Sequence, residues 1–116
     1  MKIRILGNSI RVRLTISEVQ TLWNHGQIED HTPFTTTTLS FVVKQHDLSK
    51  LLVDFKENRI TLLIPQPMAN ELYNTQKVGF EESSGPVSIL IEKDFVCLDR
   101  PVEDQRDNYP NPLLNC

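Results

Sequence analysis

Arg11 and Arg13 stand two positions apart in a segment where apolar and charged residues alternate. Alternation at period two is typical of a half-buried β-strand, so both guanidinium groups should project from one face of a sheet. Arg4, in the preceding alternating segment, is expected beside them. Guanidinium groups placed in this way can hold a phosphate or a carboxylate by paired hydrogen bonds. The three arginines are therefore a candidate site for an anionic small molecule or protein partner; a solvent-facing strand surface is the alternative interpretation.

Four acidic residues are candidate counterparts of these arginines. Glu92 and Asp94 share one face of the last predicted strand, and Glu103 and Asp104 follow it in the chain. If the arginines faced inward, such partners would be required, because an unpaired buried charge is costly.

The other reactive side chains do not form a motif. Cys97 and Cys116 lack a second cysteine at zinc-ligand spacing, and His25, His31 and His46 are scattered along the chain. Cys97 is expected to be a small buried apolar residue, with pairing to Cys116 left open. Because no G-x-S-x-G, phosphate-loop or H-E-x-x-H pattern occurs, the sequence assigns no catalytic residue, metal or cofactor. A binding module is favoured over an enzyme.

Composition limits the classes of protein further. The chain has 116 residues, 39% hydrophobic and 23% charged, as expected for one globular domain rather than a disordered chain. A net charge of −3 and a pI of about 5.5 argue against a general nucleic-acid binder, which needs a strongly basic surface. No apolar run approaches the ~18 residues of a membrane span, and the first residues do not read as a secretory signal. With only two cysteines, a cytoplasmic location is expected.

An ungapped shift of fifty residues aligns the chain with itself. Asn8 then meets Asn58, Ile10 meets Ile60, and Leu22-Trp23-Asn24 meets Leu72-Tyr73-Asn74. The agreement in pattern is stronger than the identities, because each half reads strand, turn, strand, helix, strand, strand. This predicts one domain over residues 1–116, with pseudo-repeats 2–47 and 51–96 and an acidic, proline-containing tail 97–116.

Period-two alternation and turn residues place the strands and helices. Strands are predicted over residues 2–6, 10–14, 27–34, 39–45, 51–55, 60–64, 78–82 and 87–95. A first helix is expected between the cap Thr15, with Glu18 as its reciprocal partner, and Gly26. A second begins near Pro65 and Pro67. The predicted fold class is α+β: a duplicated ββαββ unit with about eight mainly antiparallel strands, two short helices and an irregular tail. A barrel-like form is favoured over an open sheet, because closure removes exposed strand edges.

Both ends of the chain resemble one family. Four stretches are similar to the ends of short uncharacterised bacterial proteins. They are the opening K-I-R-I-L-G-N-S-I-R-V-R-L-T, the segment E-K-D-F-V-C-L over residues 92–98, the Glu103-Asp104 pair and Tyr109-Pro110-Asn111-Pro112. That resemblance implies a domain of unknown function from the bacterial cytoplasm and supplies no activity. In the tail, Tyr109, Leu113 and Leu114 are apolar residues expected to hold it against the body.

Two further resemblances give alternative functions. Gly7-Asn8-Ser9 followed by Arg11 to Leu14 is similar to the hairpin of swapped-hairpin antitoxin and transition-state regulators, which implies a dimeric DNA-binding regulator. Leu6, Thr15 and Gln27 depart from that family's tryptophan, proline and aspartate. The predicted topology also looks like the tunnel fold of triphosphate-hydrolysing metalloenzymes, which implies a metal-dependent phosphohydrolase. Their opening E-x-E-x-K pattern is replaced here by Lys2-Ile3-Arg4, and Glu92 with Asp94 would supply too few carboxylates for two metal ions.

Overall fold

The structure is a computed structural model that describes residues 1–96 and 105–110. Within these residues the order ββαββ occurs twice. The first unit comprises β1 (Lys2–Leu6), β2 (Ser9–Leu14), α1 (Ile16–His25), β3 (Gln27–Pro33) and β4 (Thr38–His46). The second comprises β5 (Leu52–Lys56), β6 (Arg59–Pro65), α2 (Gln66–Asn74), β7 (Gly79–Ser84) and β8 (Val87–Lys93).

Two-residue turns close the first hairpin of each unit. Leu6 pairs with Ser9 around Gly7-Asn8, and Lys56 pairs with Arg59 around Glu57-Asn58. Gly7 has a φ of 57°, whereas Glu57 and Asn58 adopt 54° and 59° without being glycine. The left-handed region is what a tight hairpin requires, because it matches the twist of the two strands.

The signals for α1 are confirmed in detail. Thr15 caps the helix with its side chain, and the Glu18 carboxylate accepts the Thr15 backbone N–H at 2.9 Å, which completes a capping box. Gly26 ends the helix with a φ of 84°, and its N–H donates to the Leu22 carbonyl at 3.0 Å. Helix α2 has no side-chain cap; Pro67 lies in its first turn, where the missing N–H breaks no helical hydrogen bond.

The strands form two mixed four-stranded sheets in which the units exchange hairpins. Sheet I has the order β1-β2-β8-β7, and sheet II has the order β3-β4-β6-β5. Each hairpin is antiparallel, whereas the central pairs β2–β8 and β4–β6 are parallel. Each sheet thus joins one hairpin from each unit, and the two sheets have the same arrangement once the units are interchanged.

The predicted barrel-like form is wrong. Among the described residues, strands β1, β7, β3 and β5 lie at sheet edges and pair on one side only. Where the edge of β5 approaches β7, side chains replace a ladder: Leu51 N–H donates to the Glu82 carboxylate at 3.1 Å and Val53 N–H to the Ser84 hydroxyl at 3.3 Å. Two N–H groups at this edge are thus satisfied without closure of the sheets into a barrel. The described strands therefore do not form the tunnel that the phosphohydrolase alternative requires.

Residues fifty positions apart occupy the core in matched pairs. Val12 and Leu62, Leu14 and Ile64, Val19 and Ala69, and Leu22 and Leu72 are all at most 2% exposed. The aromatic residues Trp23 and Tyr73 stack between α1 and α2, with ring centroids 6.4 Å apart. Trp23 is half-buried and Tyr73 is 39% exposed, so this stack covers the core instead of lying inside it.

Residues 105–110 of the tail lie against the body. Tyr109 N–H donates to the Asp94 carbonyl at 2.8 Å, Val96 N–H donates to the Tyr109 carbonyl at 2.7 Å, and the Phe95 and Tyr109 rings are 6.0 Å apart. The backbone carbonyl of Asp107 accepts the Ile16 N–H at 3.0 Å. Tyr109 therefore fastens the tail as expected; Leu113 and Leu114 lie outside the described residues.

Candidate functional site

The first hairpin brings the predicted arginines together. In the β1–β2 register Arg4 pairs with Arg11 and Lys2 with Arg13, so four cationic side chains share one face of sheet I. Strand alternation sends Val12 and Leu14 to the opposite face, where both are buried in the core. The charged face is therefore the outer one. We call Lys2, Arg4, Arg11 and Arg13 the basic face.

Strand β8 adds a carboxylate beside β2. Its parallel register places Glu92 next to Arg13 and Leu90 next to Arg11. Both guanidinium groups contact the same Glu92 oxygen: the Nε of Arg11 lies 3.0 Å from Oε1 and the Nε of Arg13 lies 3.1 Å from it. A single anionic charge thus faces two cations, and this part of the surface keeps an excess of positive charge.

Asp94 is the second acidic counterpart that the structure brings to this region. It is 1% exposed, and its Oδ2 lies 2.7 Å from the Nζ of Lys2, whose side chain is 51% exposed. The Asp94 N–H donates to the Leu14 carbonyl at 2.8 Å, which extends the β2–β8 pairing by one residue. Because removing one member of a buried ion pair leaves an uncompensated charge, Lys2 is tied to Asp94 and is not free to bind a ligand.

Arg4 differs from its neighbours. It forms no ion pair or hydrogen bond with any residue in ranges 1–96 and 105–110. Two shallow depressions of about 290 and 220 Å³ meet at the basic face, and both are lined by Arg4 and Arg11. Glu81 lines the larger one and Arg13 the smaller. An anion bound here would contact the guanidinium group of Arg4 and the N–H groups of Arg11 that do not contact Glu92.

The second unit shows which of these charges the fold does not need. Fifty positions later, the equivalents of Lys2, Arg4, Arg11 and Arg13 are Leu52, Asp54, Thr61 and Leu63. The pairing is the same, since Asp54 lies opposite Thr61 as Arg4 lies opposite Arg11. The second hairpin thus has no cation at these four positions, and its Lys56 and Arg59 are paired at the turn instead. Cations at the positions of Lys2, Arg4, Arg11 and Arg13 are therefore not a requirement of the architecture.

The remaining predicted residues either lie away from the basic face or fall outside the described residues. Glu103, Asp104, Cys97 and Cys116 lie outside the described residues. His25 ends α1, and His46 Nε2 lies 2.8 Å from the Lys50 carbonyl oxygen. Within ranges 1–96 and 105–110, no three His, Cys, Asp or Glu side chains are grouped so as to hold a metal ion.

A serine–histidine contact on the outer face of sheet II was not anticipated. His31 Nδ1 lies 3.0 Å from the Ser40 hydroxyl because the two residues are register partners in β3 and β4. The other ring nitrogen is 4.0 Å from Glu29, whose carboxylate is instead 3.1 Å from Arg59. A nucleophilic triad needs the carboxylate hydrogen-bonded to the imidazole, and this arrangement does not provide it.

Sequence reasoning also missed Lys93. By alternation it lies on the same face of β8 as Ile89 and Ile91, which points to the interior, and it is 5% exposed. Its Nζ donates to the Thr75 carbonyl at 2.9 Å and lies 5.0 Å from the Tyr109 ring centroid. Desolvation by burial lowers the pKa of Lys93, and desolvation followed by the negative charge of Asp107 raises the pKa of Tyr109. A lysine at an inward strand position was the available signal.

The fold and the basic face define an α+β protein of two exchanged ββαββ units with a cationic sheet surface. In comparisons with known proteins, DUF7009, a family of unknown function, matches residues 1–113, and the chain belongs to this family. The resemblance to an uncharacterised domain family is thereby confirmed. No curated protein and no solved structure matches. In the described part of the chain, neither helix has the length and apolar character needed to cross a membrane.

Proposed function

We propose that this protein is a non-enzymatic binding module whose basic face holds an anionic group, a phosphate or a carboxylate, of a small molecule or protein partner. The observation that carries the proposal is Arg4: it lies beside Arg11, lines both depressions and has no counter-ion among the described residues. Paired guanidinium groups favour anions through charge-assisted hydrogen bonds.

The contact with Glu92 supports this chemistry. The Arg11 and Arg13 side chains already converge on one carboxylate oxygen at 3.0 and 3.1 Å, so the strand spacing suits recognition of an oxyanion. Guanidinium groups stay protonated at every physiological pH and do not exchange protons with a substrate. Their contribution is therefore recognition and not acid–base catalysis, which favours a binding module over an enzyme.

The direct test is calorimetric titration of the full chain with pyrophosphate and, separately, with an aspartate- and glutamate-rich peptide at low ionic strength. Arg4→Ala combined with Arg11→Ala should weaken binding by about tenfold or more, since charge-assisted hydrogen bonds contribute roughly 1.5–3 kcal/mol each. Lys56→Ala is the matched control, because it removes a cation from the equivalent hairpin of the second unit. Equal binding by the double variant and the wild type would refute the proposal. Which of the two probes binds indicates a small-molecule or a protein partner.

A second candidate function is DNA binding. The hairpin around Gly7-Asn8-Ser9 is similar to that of swapped-hairpin regulators, and in sheet I it lies beside a hairpin of the second unit. The charge distribution is unfavourable, because the second hairpin carries Asp54 and Thr61 where the first carries Arg4 and Arg11. Binding of a random 20-base-pair duplex that falls steeply with salt would support this candidate, and a flat salt response would exclude it.

We also propose a cytoplasmic location, supported by a composition that includes only two cysteines. Cell fractionation of the tagged full-length protein tests this; recovery in a membrane or extracellular fraction would contradict it.

A further inference from the structure

Lys93 carries a charge that the described structure leaves only partly compensated. Its side chain is almost entirely removed from water, and no carboxylate of residues 1–96 or 105–110 forms an ion pair with it. Buried charges are normally paired, because transfer of an ammonium group from water into an apolar region is unfavourable. The position is therefore costly to the fold.

The hydrogen-bonding capacity of the ammonium group is also incompletely used. An ammonium group has three N–H donors. One N–H of Lys93 donates to the Thr75 carbonyl at 2.9 Å. The Tyr109 ring, whose centroid is 5.0 Å from Nζ, adds a cation–π contact. At least one donor has no acceptor among the described residues.

A cavity lies at this group. This cavity is partly open to solvent, has a volume of about 440 Å³ and is lined by Thr75, Gln76, Val78, Lys93, Phe95, Tyr109 and Pro110. The volume is in the usual range for small-molecule sites, roughly 300–1,000 Å³, and a mainly apolar lining with one or two polar groups is typical of them. None of these residues lines either depression of the basic face, so the cavity is a separate feature.

We infer that this cavity binds a small carboxylic acid with an apolar or aromatic body, whose carboxylate pairs with the Lys93 ammonium group. The apolar body contacts Phe95, Val78 and Pro110, while the carboxylate supplies an acceptor and a negative charge that residues 1–96 and 105–110 do not provide. A neutral ligand of the same shape fills the cavity without that ion pair. This inference is independent of the function proposed for the basic face.

The lowered pKa of Lys93 agrees with this assignment. Burial disfavours the charged form of the lysine and lowers its pKa. A carboxylate within hydrogen-bond distance favours the charged form, so ligand binding and protonation of Lys93 should support each other.

The test uses the full chain with 3-phenylpropionate and its neutral analogue 3-phenylpropanamide, titrated by NMR and by thermal shift. Wild type should bind the carboxylate at least about tenfold more tightly than the amide. Lys93→Met keeps the length and apolar stem of the side chain and should abolish that preference. Lys77→Met is the matched control: Lys77 also lies over an aromatic ring, with Nζ 5.1 Å from the Phe80 centroid, but it does not line the cavity. It should keep the wild-type preference.

A second variant covers the case in which Lys93→Met does not fold. Val78 is 52% exposed and lines the cavity, so Val78→Trp should occupy the space and weaken both probes without removing a core residue. In the NMR titration the shifts caused by 3-phenylpropionate should cluster on residues 93–95 and 109, whereas shifts confined to residues 2–4 and 11–13 would report binding at the basic face and contradict the inference. Equal binding of acid and amide by the wild type, a preference that survives Lys93→Met, or undiminished binding of both probes by Val78→Trp would overturn the inference.

Discussion

Glu92 controls the charge available on the basic face. Its carboxylate contacts the Nε atoms of Arg11 and Arg13. It therefore competes with any external anion for the same guanidinium groups. Arg4, in contrast, makes no such contact with the described residues. Anion affinity on this surface should depend on both residues in opposite directions.

Glu92→Gln should raise pyrophosphate affinity by about fivefold, because it removes a negative charge from the site and frees the two guanidinium groups. Stability should fall by about 1 kcal/mol, because Glu92 is 16% exposed but both arginines remain partly in contact with solvent. Glu29→Gln is the matched control, since Glu29 pairs with Arg59 on the other sheet. Calorimetry and denaturant titration of the three proteins measure both effects. Unchanged or lower affinity in Glu92→Gln would show that the anion does not bind beside these arginines.

Residue chemistry was only partly predictable from the sequence. Alternation places Arg4, Arg11 and Arg13 on one face of a hairpin and gives Glu92 the correct strand, since these patterns are local. Which guanidinium group remains without a counter-ion depends on β8 lying beside β2, a contact between segments about eighty residues apart. The environment of Lys93 depends on Tyr109 as well, and nothing local indicates where that residue lies.

Helix α1 is held at its start by two separate caps. Thr15 and Glu18 form the capping box, and Asp107 reaches the same end from the tail. The Ser17 backbone N–H donates to Asp107 Oδ1 at 3.2 Å, and the Ser17 hydroxyl donates to Oδ2. The hydrogen bond from the Ser17 hydroxyl is the main reason that the pKa of Asp107 lies below its ordinary value. The helix end therefore anchors the tail through a carboxylate.

Asp107→Asn should destabilise the protein by no more than about 1 kcal/mol at neutral pH, because Asp107 is exposed and the cap is screened by solvent. A lowered folded-state pKa stabilises the fold above the ordinary value of 3.8, and this contribution is lost as pH falls below 3.8 through the folded-state pKa. The difference between wild type and variant should therefore shrink in that range. Urea titrations at pH 7 and pH 3 measure it.

Asp54→Asn is the control for the general loss of an acidic charge, since Asp54 is an exposed strand residue. A difference for Asp107→Asn that stays constant between the two pH values would contradict the assigned role of the carboxylate.

Prediction of elements succeeded where the signal was local. The cap at Thr15, the stop at Gly26 and the turn at Gly7-Asn8 depend on residues within one turn of each other, and all are found in place. The barrel-like form failed because closure depends on edge strands meeting. The Glu82 and Ser84 side chains accept hydrogen bonds from the N–H groups of Leu51 and Val53. A strand pattern in the sequence does not indicate such contacts.

At the scale of the molecule, we propose that residues 2–47 and 51–96 are two copies of one unit within a single domain over residues 1–116. Matched burial of residues fifty positions apart supports this, and so does the equivalent arrangement of the two sheets. Neither unit contains both partners of its own parallel strand pair, because β2 pairs with β8 and β4 pairs with β6. The units should therefore fold and unfold together.

Leu22→Ala and Leu72→Ala should each cost about 2–5 kcal/mol, since both remove a fully buried side chain at equivalent helix positions. Each variant should unfold in a single denaturant transition with coincident Trp23 fluorescence and circular dichroism curves. Two separated transitions, or a loss confined to one of the two variants, would contradict a shared core.

The central claim is that the outer face of sheet I binds an anion between its arginines. The most direct measurement is an amide chemical-shift map of the isotope-labelled full chain during titration with pyrophosphate. We predict saturable shifts clustered on residues 2–4, 11–13 and 90–92, which are neighbours across β1, β2 and β8. Saturable shifts that cluster elsewhere, or the absence of any saturable shift on these strands, would contradict the account.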